Sequence, residues 1–238
     1  MDRVLPVYKP VGITSFDVIR AFKRAVHPSY KVGHGGTLDP FADGVLLLLL
    51  GRATKMMNTL SELPKTYQAT VALGAKSDTL DVTGNIVEST EYLVPSETDI
   101  ARVAASFVGK YEQEIPQYSA AKVNGKPRYL MARKGEVTER KTKLVTIHKL
   151  ELLSVQSNTV TFEATVSSGT YIRQLSYDIF NKLGVESYLE KLARTKIGDF
   201  SIEKCTTIED FMSDSWQDKL VPLESPFRDG SGALADTL

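Results

Sequence analysis

The sequence predicts an α+β fold, on three observations. Some segments alternate apolar and polar residues, the period of a half-buried strand. Others place apolar residues at helical spacing. The two kinds interleave irregularly, without the strand–helix rhythm of a doubly wound parallel sheet. With 238 residues, the chain can bury a core without disulfides or metals to staple it. The expectation is one domain over residues 1–225, followed by a frayed, Gly/Ser/Asp-rich tail over 226–238.

Taken in order, Ser15 is the expected cap of a helix over Phe16 to Val26, whose Ile19, Phe22 and Val26 share one face. Lys65 to Ala75 reads as a strand, with Tyr67, Ala69, Val71 and Leu73 on one side. Ser96 to Asp99 resembles a capping box. The stripe Ile100, Val103, Ala104, Phe107 and Val108 follows it, closed by Gly109. Asn124–Gly125 is a hairpin-type turn. Val160, Phe162, Ala164 and Val166 alternate as another strand. Ile172, Leu175, Ile179 and Leu183 then repeat with helical spacing up to Gly184.

Composition excludes several classes. The longest aliphatic run, Val45 to Leu50, is far short of the ~20 residues of a membrane span. The N-terminal residues contain no signal-peptide core. A single cysteine, Cys205, excludes an intramolecular disulfide, and His27, His34 and His148 make no zinc spacing with it. No metal and no membrane association are expected, and the cytoplasm is the expected location. Acids and bases balance at 29 each, but unevenly along the chain. Eight cations, including Lys122, Arg128 and Arg133, face two acids between Lys122 and Lys143, whereas Glu209 to Leu238 holds seven acids and two bases. Clustered cations suit a polyanion such as nucleic acid; a solvated charged face fits them equally well.

Two segments stand out chemically. In Lys31 to Leu46 (KVGHGGTLDPFADGVL), four glycines surround Asp39, which precedes Pro40. Proline steers Asp39 out of helical angles, and glycines permit tight backbone paths, so a rigid loop presenting one carboxylate is expected. An ordinary Asp-Pro turn is the plainer reading of those residues alone. Ser167 to Arg173 (SSGTYIR) lies at a strand-to-helix junction. Helix N-terminal amides with an arginine suit an anion, either a substrate phosphate or the protein's own carboxylate.

Read together, Lys9 to Ser15 (KPVGITS), the Asp39 block, Lys65–Thr66–Tyr67, Pro116 to Lys122 (PQYSAAK) and SSGTYIR resemble the TruB family of pseudouridine synthases, in the same order. The resemblance implies the pseudouridine synthase fold, a long, mostly antiparallel sheet flanked by helices. It implies isomerisation of uridine 55 in the T-loop of tRNA, with no cofactor and no guide RNA, by a chain expected to be a monomer. Asp39 matches the catalytic aspartate, Arg173 the arginine that pairs with it, and Tyr67 the tyrosine that packs on the flipped uracil. His34, Tyr171 and Leu192 match substrate contacts. Lys9 and Pro10 match a motif supporting the active-site loop. Residues 117–143 match a thumb insertion that closes over RNA, which assigns Lys122, Arg128 and Arg133 to RNA binding. Too few residues follow Cys205 for the PUA domain that many members carry, so none is expected.

The chemistry fits those residues. Pseudouridylation breaks the N1–C1′ bond, turns the base over and joins C5 to C1′. The uridine must leave its stack and be held against an aromatic or apolar face. A carboxylate can attack C1′ or C6, or assist elimination at C2′, and these routes stay open.

Overall fold

A computed structural model describes residues 2–123, 125–136 and 139–222. Their elements run β1 (Arg3–Lys9), α1 (Ser15–Val26), β2 (Val32–Gly35), β3 (Asp43–Leu50), α2 (Met57–Glu62), β4 (Lys65–Leu73), β5 (Ala75–Ser77) and β6 (Ile86–Glu88). Next come α3 (Glu97–Ala105), β7 (Gly109–Glu114), β8 (Lys122–Val123), β9 (Lys126–Pro127), α4 (Arg128–Ala132) and β10 (Thr142–Val155). The series ends with β11 (Thr159–Val166), α5 (Ile172–Lys182), β12 (Ser187–Ile197), β13 (Phe200–Ser201) and β14 (Val221–Pro222). The fold is α+β, as the mixed periodicities require. Among the described residues no helix is long and apolar enough to cross a membrane. The expected tail over 226–238 and Asn124 of the expected turn lie outside the described residues.

The described residues form two compact units, 2–63 with 194–222, and 64–193. In the first, β1 pairs antiparallel with β3 from Arg3↔Leu50 to Lys9↔Gly44, and β2 pairs with β3 from Val32↔Leu50 to Gly35↔Leu47. The run Val45 to Leu50 is a strand buried on both faces, which is why it does not alternate. Its Leu46, Leu48 and Leu50 pack with Val18, Ile19 and Phe22 of α1, and with Phe211 and Trp216. Val45, Leu47 and Leu49 pack with Leu60, Ile197 and Phe200. Phe22 meets Phe211 and Trp216 edge-on, each at 5.1 Å between centroids, a favoured aromatic geometry.

Helix α1 is capped by Thr14, not by Ser15. Thr14 accepts from the Asp17 amide while the Asp17 side chain accepts from the Thr14 amide, a complete capping box. Ser15 is one residue inside the helix and buried, with another task described below.

The second unit contains an antiparallel sheet in the order β4, β11, β10, β7. β4 pairs with β11 from Lys65↔Val166 to Ala72↔Thr159, β11 pairs with β10, and β10 pairs with β7. Helices α3 and α5 pack on these strands. β11 buries Val160, Phe162, Ala164 and Val166, as its alternation predicts. Two expected boundaries differ. The strand from Lys65 ends at Leu73, because Gly74 takes φ +81° and turns the chain before β5. Helix α3 ends at Ala105, and Gly109, at φ +104°, opens β7 instead. Ser96 does cap α3, accepting from the Asp99 amide.

Candidate active site

Asp39 is half-buried in the loop between β2 and β3, and the main chain around it is held at nearly every residue. Arg194 is 1% exposed and donates to three carbonyls: Nε to Val45 (2.8 Å), Nη1 to Thr37 (3.3 Å) and Nη2 to Gly36 (3.2 Å). Buried Ser15 accepts from the Leu38 amide at 2.9 Å and donates to the Leu38 carbonyl at 3.2 Å. The Asp39 carbonyl accepts from the Ala42 amide. The Pro40 carbonyl accepts from the Gly12 amide at 2.8 Å and from Lys9 Nζ at 3.5 Å. Lys9 is fully buried and also donates to the carbonyls of Pro10 and Ile13. The loop is therefore preorganised by donors on both sides of one carboxylate.

Gly44, next to this loop, cannot be another residue. At φ +106° its hypothetical Cβ would lie 2.2 Å from the Arg194 carbonyl oxygen. The glycine-rich spacing read in the sequence thus has a steric cause at this position.

His34 is on β2 of the same unit. Its buried Nδ1 has no hydrogen-bond partner among the described residues. Burial, then the Arg194 charge, lower its pKa from 6.5, which favours the neutral ring. Burial also lowers Lys9, to about 8, against the opposing pull of Asp43 and Asp39.

The second unit holds the other expected residues. Tyr67 is buried on β4, opposite Ala164 of β11. Leu192 is buried on β12. Arg173 is on the first turn of α5 and buried, with bonds to Asp81, Thr79 and Tyr118 among its contacts. Its Nη1 lies 3.2 Å from Asp81 Oδ2 and 3.1 Å from the Thr79 carbonyl, and its Nη2 donates to the Tyr118 carbonyl at 3.0 Å. The anion left open in the sequence includes the protein's own carboxylate, Asp81. Asp81 is oriented in turn by Thr79 Oγ1 (2.9 Å), the Thr83 amide (2.9 Å) and Thr83 Oγ1 (2.5 Å). Tyr171 is the N-cap residue of α5, and Gln113 of β7 holds its main chain.

The basic segment forms a small hairpin, β8 with β9, followed by α4. Arg133 is exposed there. Arg128 is 1% exposed, contrary to the surface cation that the sequence suggests. Its Nη1 donates to the Glu139 carbonyl at 2.9 Å, while Nε and Nη2 find no partner among the described residues. In this conformation Arg128 is a strut inside the segment. The side chain of Lys122 lies outside the described residues.

Sequence reading missed Arg194, Asp81 and Gln113. For Arg194 the available signal is a cation in the buried phase of β12, two residues after buried Leu192. For Asp81 it is the Asp-x-Thr spacing of an Asx turn. Gln113 carries no local signal.

A family profile described as TruB family pseudouridylate synthase (N terminal domain) matches residues 23–172. The chain belongs to the TruB family of pseudouridylate synthases. Over 224 residues it is 41% identical to the tRNA pseudouridine synthase B of Clostridium tetani, covering 94% of this chain and 77% of that one. The same-named protein of Aquifex aeolicus is 38% identical over 231 residues, 96% of this chain and 80% of that one. Among solved structures, a Cbf5-Nop10-Gar1 complex matches with a TM-score of 0.72 and 28% identity, over 92% of this chain and 60% of that one. This chain thus spans about three fifths of that solved chain's length. Family membership makes it an isomerase that forms pseudouridine, and its α+β architecture is that of a pseudouridine synthase.

Proposed function

We propose that the chain converts uridine to pseudouridine in tRNA, at position 55 of the T-loop, acting as a monomer without a guide RNA. The observation that carries this reading is the Asp39 loop, one half-buried carboxylate whose neighbouring main chain is fixed from Gly36 to Pro40. The tRNA substrate is supported by relatives near 40% identity that bear the name tRNA pseudouridine synthase B. Identity to the Cbf5 complex is lower, at 28%, which favours the tRNA reading over a guided one.

In this reading Asp39 supplies the anion that labilises the N1–C1′ bond. The freed base turns over, C5 bonds to C1′, the C5 proton leaves, and N1 takes up a proton. Tyr67 provides an aromatic face for the flipped uracil, with Leu192 as an apolar wall. The Arg173 guanidinium stabilises anionic character. His34 and Tyr171 contact the T-loop, and the thumb cations Lys122 and Arg133 face its phosphates, while buried Arg128 braces the segment from within.

The test is tritium release from an unmodified transcript labelled at uridine C5, with the product position mapped. Release with pseudouridine at position 55 is expected. An Asp39→Asn variant should bind the transcript as wild type does, because phosphates dominate affinity, yet release no tritium. Retention of more than about a tenth of wild-type turnover, a barrier change under ~1.4 kcal/mol, overturns the role of Asp39. Product at another position overturns the site assignment.

A further inference from the structure

The helix that carries Arg173 lacks a cap of its own. Its N-cap residue, Tyr171, makes no side-chain capping bond. The orphan groups of a helix start need partners, and here one comes from a distant strand. Gln113 of β7 is 1% exposed. Its Oε1 accepts from the Tyr171 amide at 2.8 Å, and its Nε2 donates to the Tyr171 carbonyl at 3.0 Å. One side-chain amide thus holds both main-chain groups of a residue 58 positions away. In an ordinary capping box, the N3 side chain bonds the N-cap amide; Gln113 does this from another element.

The same strand reaches the helix a second time. Tyr111 Oη donates to Asp178 Oδ2, and Gln174 Nε2 donates to Asp178 Oδ1 at 3.0 Å. Alternate residues of β7 therefore grip α5 at Tyr171 and at Asp178, and Arg173 is between the two grips. Only the Gln113 grip acts on main chain, two residues from Arg173, at the point where loop becomes helix. Beyond it, helical hydrogen bonds already fix the backbone.

We propose that Gln113 is a positioning residue of the reaction: it caps α5 from β7 and so sets the main chain from which Arg173 reaches Asp81 and the carbonyls of Thr79 and Tyr118. The geometry needs both halves of an amide. Glutamate keeps the acceptor for the Tyr171 amide but sets a carboxylate oxygen against the Tyr171 carbonyl. Leucine loses both bonds, taking the Gln113 partner from the Tyr171 amide and leaving the Tyr171 carbonyl to the Leu175 amide alone. This inference rests on the role proposed above for Arg173.

The experiment compares Gln113→Leu, Gln113→Glu and Tyr111→Phe in the full chain. Each is measured by tritium-release kinetics, by melting temperature, and by the ¹⁵N–¹H signal of Arg173 Nε, assigned through its loss in Arg173→Lys. Gln113→Leu should lower kcat at least tenfold, change KM for the transcript less than threefold, and shift or broaden the Arg173 signal. Gln113→Glu should fall between it and wild type, and decides the matter if the leucine variant does not fold. Tyr111→Phe should lower the melting temperature while kcat stays within threefold and the Arg173 signal stays in place. An unmoved Arg173 signal in the Gln113 variants overturns the proposal. So does a loss of kcat that tracks melting temperature equally at both positions. Should the wild-type chain release no tritium at all, the proposed function falls, while the Arg173 signal still reads the positioning.

Discussion

The Asp39 loop and the basic segment at residues 117–143 solve opposite problems. Around Asp39, main-chain groups from Gly36 to Pro40 are matched by Arg194, Ser15, Ala42, Gly12 and Lys9. In the basic segment, two guanidinium nitrogens of Arg128 and the hydroxyl of Ser119 are buried without partners among the described residues, and Arg133, Lys134, Arg140 and Lys141 stand in solvent. A loop that must present a reacting group to sub-ångström tolerance gains from fixed dipoles that need no rearrangement. In the proposed function the segment grips a polyanion, a task served by exposed cations and by polar groups still seeking partners. The two regions therefore lose different things when cut.

The sharpest way to break the comparison is Arg194→Met, which keeps bulk but removes three donors from the loop. Leaving a buried carbonyl unpaired costs about 1–3 kcal/mol, a penalty that falls on Val45 and more lightly on the part-buried carbonyls of Gly36 and Thr37. We expect a marked fall in melting temperature and a drop in single-turnover rate of a hundredfold or more, read by rapid-quench tritium release. A rate within threefold of wild type would mean that the loop keeps its shape without Arg194.

A smaller and different effect is expected from Arg133→Glu with Lys134→Glu. Both side chains are exposed, so folding should be untouched. Transcript binding should weaken, and the slope of log K against log salt should flatten by roughly 0.7–0.9 for each phosphate no longer neutralised. At saturating transcript, kcat should hold. Filter binding across a salt series reads this; an unchanged slope would reduce these cations to a solvated face.

Least of all should follow from Arg128→Met. A buried cation with two unpaired nitrogens is poorly compensated, and replacing such groups with apolar side chains of similar volume is often neutral or stabilising. Thermal unfolding should shift by no more than about 2–4 °C, the scale of ~1 kcal/mol in a chain this long. A collapse of the melting temperature would show that the bond to the Glu139 carbonyl matters more than the unpaired nitrogens cost.

What the sequence could reveal follows the same division. Elements built from local patterns were legible: the alternation of β11, the stripe of α5, and the turn glycines. The Asp39 loop was legible as a loop because Asp-Pro and its glycines act on adjacent backbone. Beyond Lys9 its supports were not, since Arg194 reaches Gly36 across 158 positions; nor was the hold on α5, where Gln113 reaches Tyr171 across 58. The cap of α1 was misplaced by one residue because Thr14 and Ser15 have the same chemistry. Only the Asp17 side chain reaching back to the Thr14 amide separates them. Arg128 misled for a related reason: eight cations in one short segment look alike until packing buries one.

Lys9 brings proton linkage to the Asp39 loop. Its ordinary value is 10.5, and burial lowers it to about 8 in the folded chain. Between those two values the unfolded chain holds more protons than the folded one, so the contribution of Lys9 to stability rises with pH there. Urea unfolding across that window, with and without Lys9→Met, reads the difference in slope. Yet the same deprotonation leaves an amine with two hydrogens facing the three carbonyls of Pro10, Ile13 and Pro40. On the alkaline side the Lys9 contribution to stability grows while the clasp on the Pro40 carbonyl slackens. The stability that Lys9 contributes and the grip it exerts thus part company at one buried nitrogen.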